Sequence, residues 1–262
     1  MNPSVYQSGY HRAEIKADIP TCRILGVDIA EVNMEALVTF LKENGRALSG
    51  DYVCVSNVYT TVTAYEDPEY LRVQNGGVLA IPDGGPIAYV GRKRGFHRMQ
   101  RTAGPDLMTE VFKISAANGY RHFFYGATEE TLQMLRKALS RNYPGIRIAG
   151  MYSPPFEQMT QAEDEAAVRR INEANPDFVW VGLGAPKQER WMAAHQGRVK
   201  GLMIGVGAGF HFHAGNLRRA PKWMREHSLE WLYRLVQDPV RLFGRYWGTN
   251  WKYIWHAVIR GR

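Results

Sequence analysis

Cysteine is scarce in this chain: only Cys22 and Cys54 occur among 262 residues. Two thiols, each beside an apolar stretch, cannot build a disulfide framework or a four-thiolate zinc site, and so point to a reducing compartment. Long hydrophobic runs are missing as well. No segment supplies the roughly 18 consecutive apolar residues of a simple membrane span, and the opening MNPSVYQSGYHRAEIKAD lacks the apolar stretch of a secretory signal. The sequence has no Asp-x-Asp pair to hold a divalent ion against a nucleotide sugar, no GxxxxGK[ST] phosphate loop, no internal repeat and no low-complexity tract. These absences favour a cytoplasmic protein without a membrane span, its first ~20 residues poorly anchored as termini often are.

What is present is ordinary globular material. With 45% hydrophobic and 22% charged residues the chain can bury a core, which excludes wholesale disorder. The length suits one α/β domain with an appendage. The net charge of +8 is unevenly spread. From Leu217 onward ten basic residues face three acidic ones, a net +7, leaving +1 for everything before. The same stretch holds five of the seven tryptophans, so a boundary is placed near residue 217, between a 1–216 core and a 217–262 tail. Aromatic and Arg side chains also pack helices together, so the tail has a purely structural reading. Its functional readings are an anionic membrane surface, where Trp sits at headgroup level and Lys or Arg meets phosphate, and nucleic acid, held by stacking and phosphate neutralisation.

In the body, ILGVDIAEV reads as a strand or hairpin, YVCVSN and VLAIPDGG as buried strands, HFFYG, IRIAGMY and DFVWVGLG as further strands, and GLMIGVGAGF as the last one. Helical spacing separates them: Leu132, Leu135 and Leu139 share a face behind a Thr128 cap, and EDEAAVRRINEANP and PKQERWMAAHQ follow. The alternation predicts a Rossmann-like, largely parallel sheet with helices on both faces, and a helical, basic, aromatic-rich appendage. In such sheets ligands bind at the carboxyl ends of the strands.

Several residues fall at those ends. Asp83 in IPDGGP fits a turn and a general base equally well. Asn57, closing YVCVSN, is placed to cap the next helix, and its other reading is a contact to a sugar hydroxyl. Arg101 in RTAGPDLM precedes a helix beginning near Pro105, where guanidinium and helix N-terminus could share a phosphate. In GLGAPKQERW, Gly182 and Gly184 form a loop opening a helix, with Lys187, Gln188 and Glu189 in its first turn. Such a loop suits a diphosphate, and it also suits an ordinary helix cap. His211 and His213 would share a face if the strand through FHFHAG continued, but with no Cys or acid beside them a polar cluster outranks a metal site.

Taken in order, VCVSN, PDGGP, RTAGPDLM, GLGAPKQERW, GVGAGFHFHAGNLRRAPKW and EWLYRLVQDPVR resemble the WecG/TagA/CpsF glycosyltransferase family, family 26, over about residues 24–245. The resemblance implies an inverting, metal-independent bacterial enzyme without a cofactor. It would move a sugar from a UDP-sugar donor to a saccharide on a polyprenyl diphosphate, working peripherally on the inner face of the cell membrane. By the same resemblance Asp83 matches the proposed base, Arg101 an arginine near the diphosphate and Gln188 a polar active-site residue. Arg234 and Arg241 match arginines of an appendage that closes over the site and meets the membrane. Arg219, at the head of the tail, is a further candidate for binding substrate.

Two positions depart from the pattern. Val55 stands where many members have Thr, and His211, a candidate donor contact, where many have Asp. Both turn the donor expectation away from N-acetylmannosamine toward a hexose, glucose in particular, as in relatives from exopolysaccharide clusters of the xanthan type. An N-acetylmannosaminyl or uronosyl transferase is the alternative within the family. Nucleic acid is not expected as a partner, because that reading leaves Asp83 and PKQERW without work. Association into a homo-oligomer stays open.

Overall fold

The computed structural model describes residues 18–227 and 229–261. The predicted hairpin opens it: β1 (Thr21–Ile24) and β2 (Val27–Ala30) pair antiparallel with Ile24 opposite Val27, leaving the two-residue turn Leu25-Gly26, both at positive φ. The remaining strands, β3 (Tyr52–Ser56), β4 (Leu79–Pro82), β5 (Arg121–Gly126), β6 (Arg147–Tyr152), β7 (Phe178–Gly182) and β8 (Leu202–Gly205), are all parallel. The sheet order is β1-β2-β4-β3-β8-β7-β5-β6.

Helices cover both faces, so the central strands read as unbroken apolar runs. Along β3, Val53 and Val55 enter one core cluster with Leu79, Ile81, Trp180 and Ile204. Tyr52 and Cys54 enter the other, with Ala80, Val179, Val181 and Met203. The core helices are α1 (Met34–Asn44), α2 (Val58–Glu66), α3 (Pro68–Gly76), α4 (Gly85–Lys93), α5 (Gly104–Asn118), α6 (Glu129–Asn142), α7 (Gln161–Glu173), α8 (Lys187–Ala194) and α9 (Gly209–Ala214). Their starts follow local chemistry. Thr128 caps α6 as expected, Asp67 caps α3, and Thr160 with Glu163 forms a capping box on α7.

The last strand differs from its sequence reading. GLMIGVGAGF was expected to stay extended, yet β8 ends at Gly205 and the chain turns through Gly207, at φ +52°, into α9. Gly209 starts that helix against α5, where a Cβ would lie 2.7 Å from the Met108 sulfur. A side chain there would require Met108 to move aside. His211 and His213 therefore lie two apart on a helix and do not share a face.

The sheet is built from two halves. The first winds from β3 to β4 and outward, the second holds β5 to β8, and they meet where β3 pairs β8, Tyr52 beside Met203 and Val53 beside Ile204. A parallel sheet opens a crevice at such a switch point, at the carboxyl ends. The tail is helical: α10 (Lys222–Glu226), α11 (Glu230–Gln237), α12 (Pro239–Tyr253) and a π-helical turn Ile254–Ile259. It returns to the core. Tyr253 is buried and its hydroxyl donates to the Pro86 carbonyl at 3.1 Å, Arg94 donates to the Ala257 carbonyl at 3.0 Å, and Lys252 pairs with Glu66. No helix among the described residues is long and apolar enough to cross a membrane.

Candidate active site

Two adjacent strand ends bring the first residues together. Asn57 follows β3 and caps α2: its Oδ1 accepts the Thr60 N–H at 3.2 Å while its own N–H donates to the Thr60 hydroxyl at 2.8 Å. The capping reading of Asn57 thus holds, and the same side chain turns its Nδ2 toward Asp83 Oδ2 at 3.5 Å. Asp83 follows β4, and its N–H donates to the Ser56 carbonyl at 2.7 Å, extending the strand pairing by one bond. Gly84 then turns the chain at φ +110° and α4 begins at Gly85, so Asp83 sits at the carboxyl end of β4, between strand and helix. Burial pushes the Asp83 carboxyl above the usual carboxylate range, and the negative charge of Glu230 adds to this. Arg101, Arg234 and the Asn57 hydrogen bond pull the other way.

Arg101 is pinned beside that carboxylate by its neighbour, because the Thr102 N–H and hydroxyl both donate to the Pro82 carbonyl, at 2.7 and 3.1 Å. Its guanidinium bridges two acids, Nη1 to Asp106 at 2.7 Å and Nη2 to Glu230 at 2.6 Å. Burial works against the charge of Arg101, but Asp83, Asp106 and Glu230 hold it firmly protonated. Asp106 gathers more: Arg219 Nη1 lies 2.6 Å and Arg225 Nη1 3.5 Å from Oδ1. Burial would raise the Asp106 carboxyl, yet the Arg219 and Arg101 interactions keep it below the ordinary range. The guanidinium groups of Arg219 and Arg234 also lie over the Phe212 ring, at 5.7 and 5.4 Å from its centroid.

Asp106, Arg225 and Glu230 escaped the sequence reading. Asp106 and Glu230 sit inside quoted motifs, RTAGPDLM and EWLYRLVQDPVR, each in the first turn of a helix, where an acid is commonplace. The side chain of Arg241 lies outside the described residues.

The glycine loop follows β7 on the other half of the sheet. Gly182 packs against Phe210, whose ring would lie 2.9 Å from an added Cβ. Gly184 stands at φ +79° with open space around it. Lys187 is exposed at the start of α8. Gln188 differs from expectation: it is buried, its Oε1 accepts the N–H of Gly184 at 3.2 Å and of Gly207 at 3.0 Å, and its Nε2 donates to Glu189 at 2.8 Å. The Gly184 N–H is thus committed within the protein. On α9, His211 meets Asn216 at 3.2 Å and His213 meets the Pro105 carbonyl at 3.1 Å. Burial lowers the His213 pKa, which favours its neutral form. Val55 is buried in the core and brings no polar atom to the β3 end.

A doubly covered parallel sheet binds ligands at the carboxyl ends of its strands, and there this chain gathers an acid with arginines from core and tail. The family described as Glycosyl transferase WecG/TagA/CpsF family matches residues 22–262. The chain is 30% identical over 222 residues to an N-acetylglucosaminyldiphosphoundecaprenol N-acetyl-beta-D-mannosaminyltransferase of Staphylococcus aureus (strain MW2), covering 84% of this chain and 85% of that one. It is 32% identical over 193 residues to a protein of the same description from Bacillus subtilis (strain 168), covering 73% of each. The chain belongs to the WecG/TagA/CpsF glycosyltransferase family, and it is a glycosyltransferase. Both relatives carry N-acetylmannosaminyl descriptions, so the alternative donor fits the comparisons better than the glucose to which Val55 and His211 pointed.

Proposed function

We propose that the protein transfers N-acetylmannosamine from its UDP derivative to an N-acetylglucosamine carried on a polyprenyl diphosphate, in the synthesis of a cell-envelope polysaccharide. The observation that carries the reading is Asp83, a carboxylate raised by burial at the crevice with Arg101 and Arg234 as its positive neighbours. In this mechanism Asp83 takes the proton of the acceptor hydroxyl, which attacks the anomeric carbon opposite UDP and gives inversion. The leaving diphosphate gains charge, and Arg101, Arg219, Arg234 and the exposed Lys187 are the groups that would meet it. On this account positive side chains take the part that a divalent ion plays elsewhere, and no metal or other cofactor is required.

The tail supplies the surface for a lipid-borne acceptor. Along α12, Val240, Phe243, Trp247 and Trp251 are 94%, 59%, 74% and 66% exposed, and their spacing of three and four residues puts them on one face. Such an aromatic face, in a segment of +7 net charge, suits the headgroup region of an anionic membrane. The test is a screen of UDP-sugars with a short-chain polyprenyl-diphosphate N-acetylglucosamine acceptor, with and without EDTA. UDP-N-acetylmannosamine is expected to turn over fastest and to ignore the chelator. Preference for UDP-glucose would return the donor to the hexose class suggested by Val55 and His211, and loss of activity in EDTA would overturn metal independence.

A further inference from the structure

Beneath the crevice runs a buried chain of polar side chains that the proposed chemistry does not use. Ser56, Gln74, Tyr70, Glu189 and Gln188 are all 4% exposed or less. The Ser56 hydroxyl donates to Gln74 Oε1 at 2.7 Å, and Gln74 Nε2 donates to the Tyr70 hydroxyl at 2.8 Å. Since Tyr70 accepts from Gln74, its own proton is free to point onward, toward the neighbouring carboxyl of Glu189. From the other side Gln188 Nε2 donates to Glu189 Oε1 at 2.8 Å, which leaves Gln188 Oε1 for the N–H groups of Gly184 and Gly207.

The direction of every bond follows from the chemistry of the groups. Backbone N–H can only donate, so Gln188 must present oxygen to the two glycines and its NH2 to Glu189. Glu189 Oε1 accepts that NH2, and its carboxyl faces Tyr70 on the other side. Gln188 joins the loop after β7 to the loop after β8, and Ser56 ends the chain at the residue whose carbonyl holds the Asp83 N–H. The relay thus spans both halves of the sheet beneath the site.

We infer that Glu189 is a positioning residue: it fixes the orientation of the Gln188 amide, through which it holds the β7 and β8 loops in the geometry that receives the donor, with Tyr70 and Gln74 tying that arrangement to the Asp83 side. This assignment rests on reading the chain as a UDP-sugar transferase. Glu189→Gln presents Gln188 with a second amide. The new amide can keep its oxygen on Gln188 only by turning its NH2 to the Tyr70 hydroxyl, which then loses its acceptor; turned the other way, its NH2 meets that of Gln188 or flips Gln188 so that an NH2 faces the glycine N–H groups. The exchanged pair, Gln188→Glu with Glu189→Gln, restores every direction: a carboxylate at 188 accepts from both glycines and from the new amide at 189, whose oxygen accepts from Tyr70.

The experiment compares the wild-type chain, Glu189→Gln, Tyr70→Phe and the exchanged double variant by hydrogen exchange of the amides of Gly184 and Gly207, by UDP binding and by donor KM and kcat. In Glu189→Gln the two glycine amides are expected to exchange faster, with UDP affinity falling about tenfold and donor KM rising in step, while kcat changes less. Tyr70→Phe is expected to move the same readouts in the same direction by a smaller factor. The double variant is expected to recover protection and affinity to within about twofold of wild type, which loss of buried charge or volume alone would not produce. Wild-type exchange and affinity in Glu189→Gln would overturn the assignment, and so would a double variant no better than the single one. If Glu189→Gln does not fold, the Tyr70→Phe and double variants decide in the same way. Hydrogen exchange needs no substrate, so a wild-type protein that rejects every UDP-sugar would sink the proposed function while leaving the loop clamp to be judged by its own readout.

Discussion

Glu230 and Arg101, 129 positions apart in the chain, meet at 2.6 Å. The contact ties α11 of the tail to the loop that places Arg101 beside Asp83, so the tail sets part of the electrostatics of the Asp83 carboxyl. Glu230 raises the Asp83 carboxyl and Arg101 lowers it.

From this follows a pair of opposite shifts in the pH dependence. A base works only when deprotonated, so activity falls as pH drops through the Asp83 pKa. Glu230→Gln removes a negative neighbour and lowers that pKa, moving the acid limb of the rate profile to lower pH. Arg101→Gln removes a positive neighbour, moves the limb to higher pH and weakens UDP binding by about tenfold or more. Profiles of kcat/KM against pH for the two variants check this, and shifts of the same sign would contradict the coupling.

Asp83 also carries a stability penalty. Its folded-state pKa is raised, so the fold is stabilised below the unfolded pKa and loses that stability as pH rises through the folded value. Asp83→Asn is therefore expected to raise the melting temperature at neutral pH, with the gain shrinking as pH falls toward the ordinary carboxylate range. Thermal melts at three pH values measure it.

Asp106 behaves oppositely. Its depressed pKa means stability present above the unfolded value and lost as pH falls through the folded one. Asp106→Asn leaves Arg101, Arg219 and Arg225 without their shared carboxylate and is expected to lower stability at neutral pH by about 1–3 kcal/mol, less than for a fully buried pair because these side chains are partly exposed. Denaturant titration provides the number.

The aromatic face of α12 predicts salt-sensitive attachment to anionic vesicles. Trp247→Ser with Trp251→Ser is expected to reduce sedimentation with such liposomes about tenfold or more while leaving thermal stability near wild type, since both side chains are largely exposed. Equal binding by the double variant, or tighter retention of single-stranded nucleic acid than of vesicles at equal salt, would turn the tail to another use.

Much of the frame could be read in advance because local chemistry dictates it. The buried strands β3, β4 and β7 are apolar on both faces, and Thr128 announces its helix by the groups it must satisfy. The end of β8 could not be read, since GLMIGVGAGF is apolar throughout and the chain turns at Gly207, one of several glycines in the run. The same holds at the site. Asp83 and Asn57 were visible as residues past strand ends, and Arg101 as a cation before a helix. The acids that hold Arg101 were not, because Glu230 arrives from the tail and only tertiary packing pairs them. Gln188 looked like a substrate ligand until its oxygen was found between two backbone N–H groups.

Proton removal by Asp83, proposed for transfer from UDP-N-acetylmannosamine to the lipid-linked acceptor, is tested by the turnover of Asp83→Asn against wild type with both substrates saturating. Wild type is expected to give a β-linked product, and the variant a fall in kcat of about 10²–10⁴ with UDP affinity retained. Transfer by Asp83→Asn at a rate near that of wild type would contradict it.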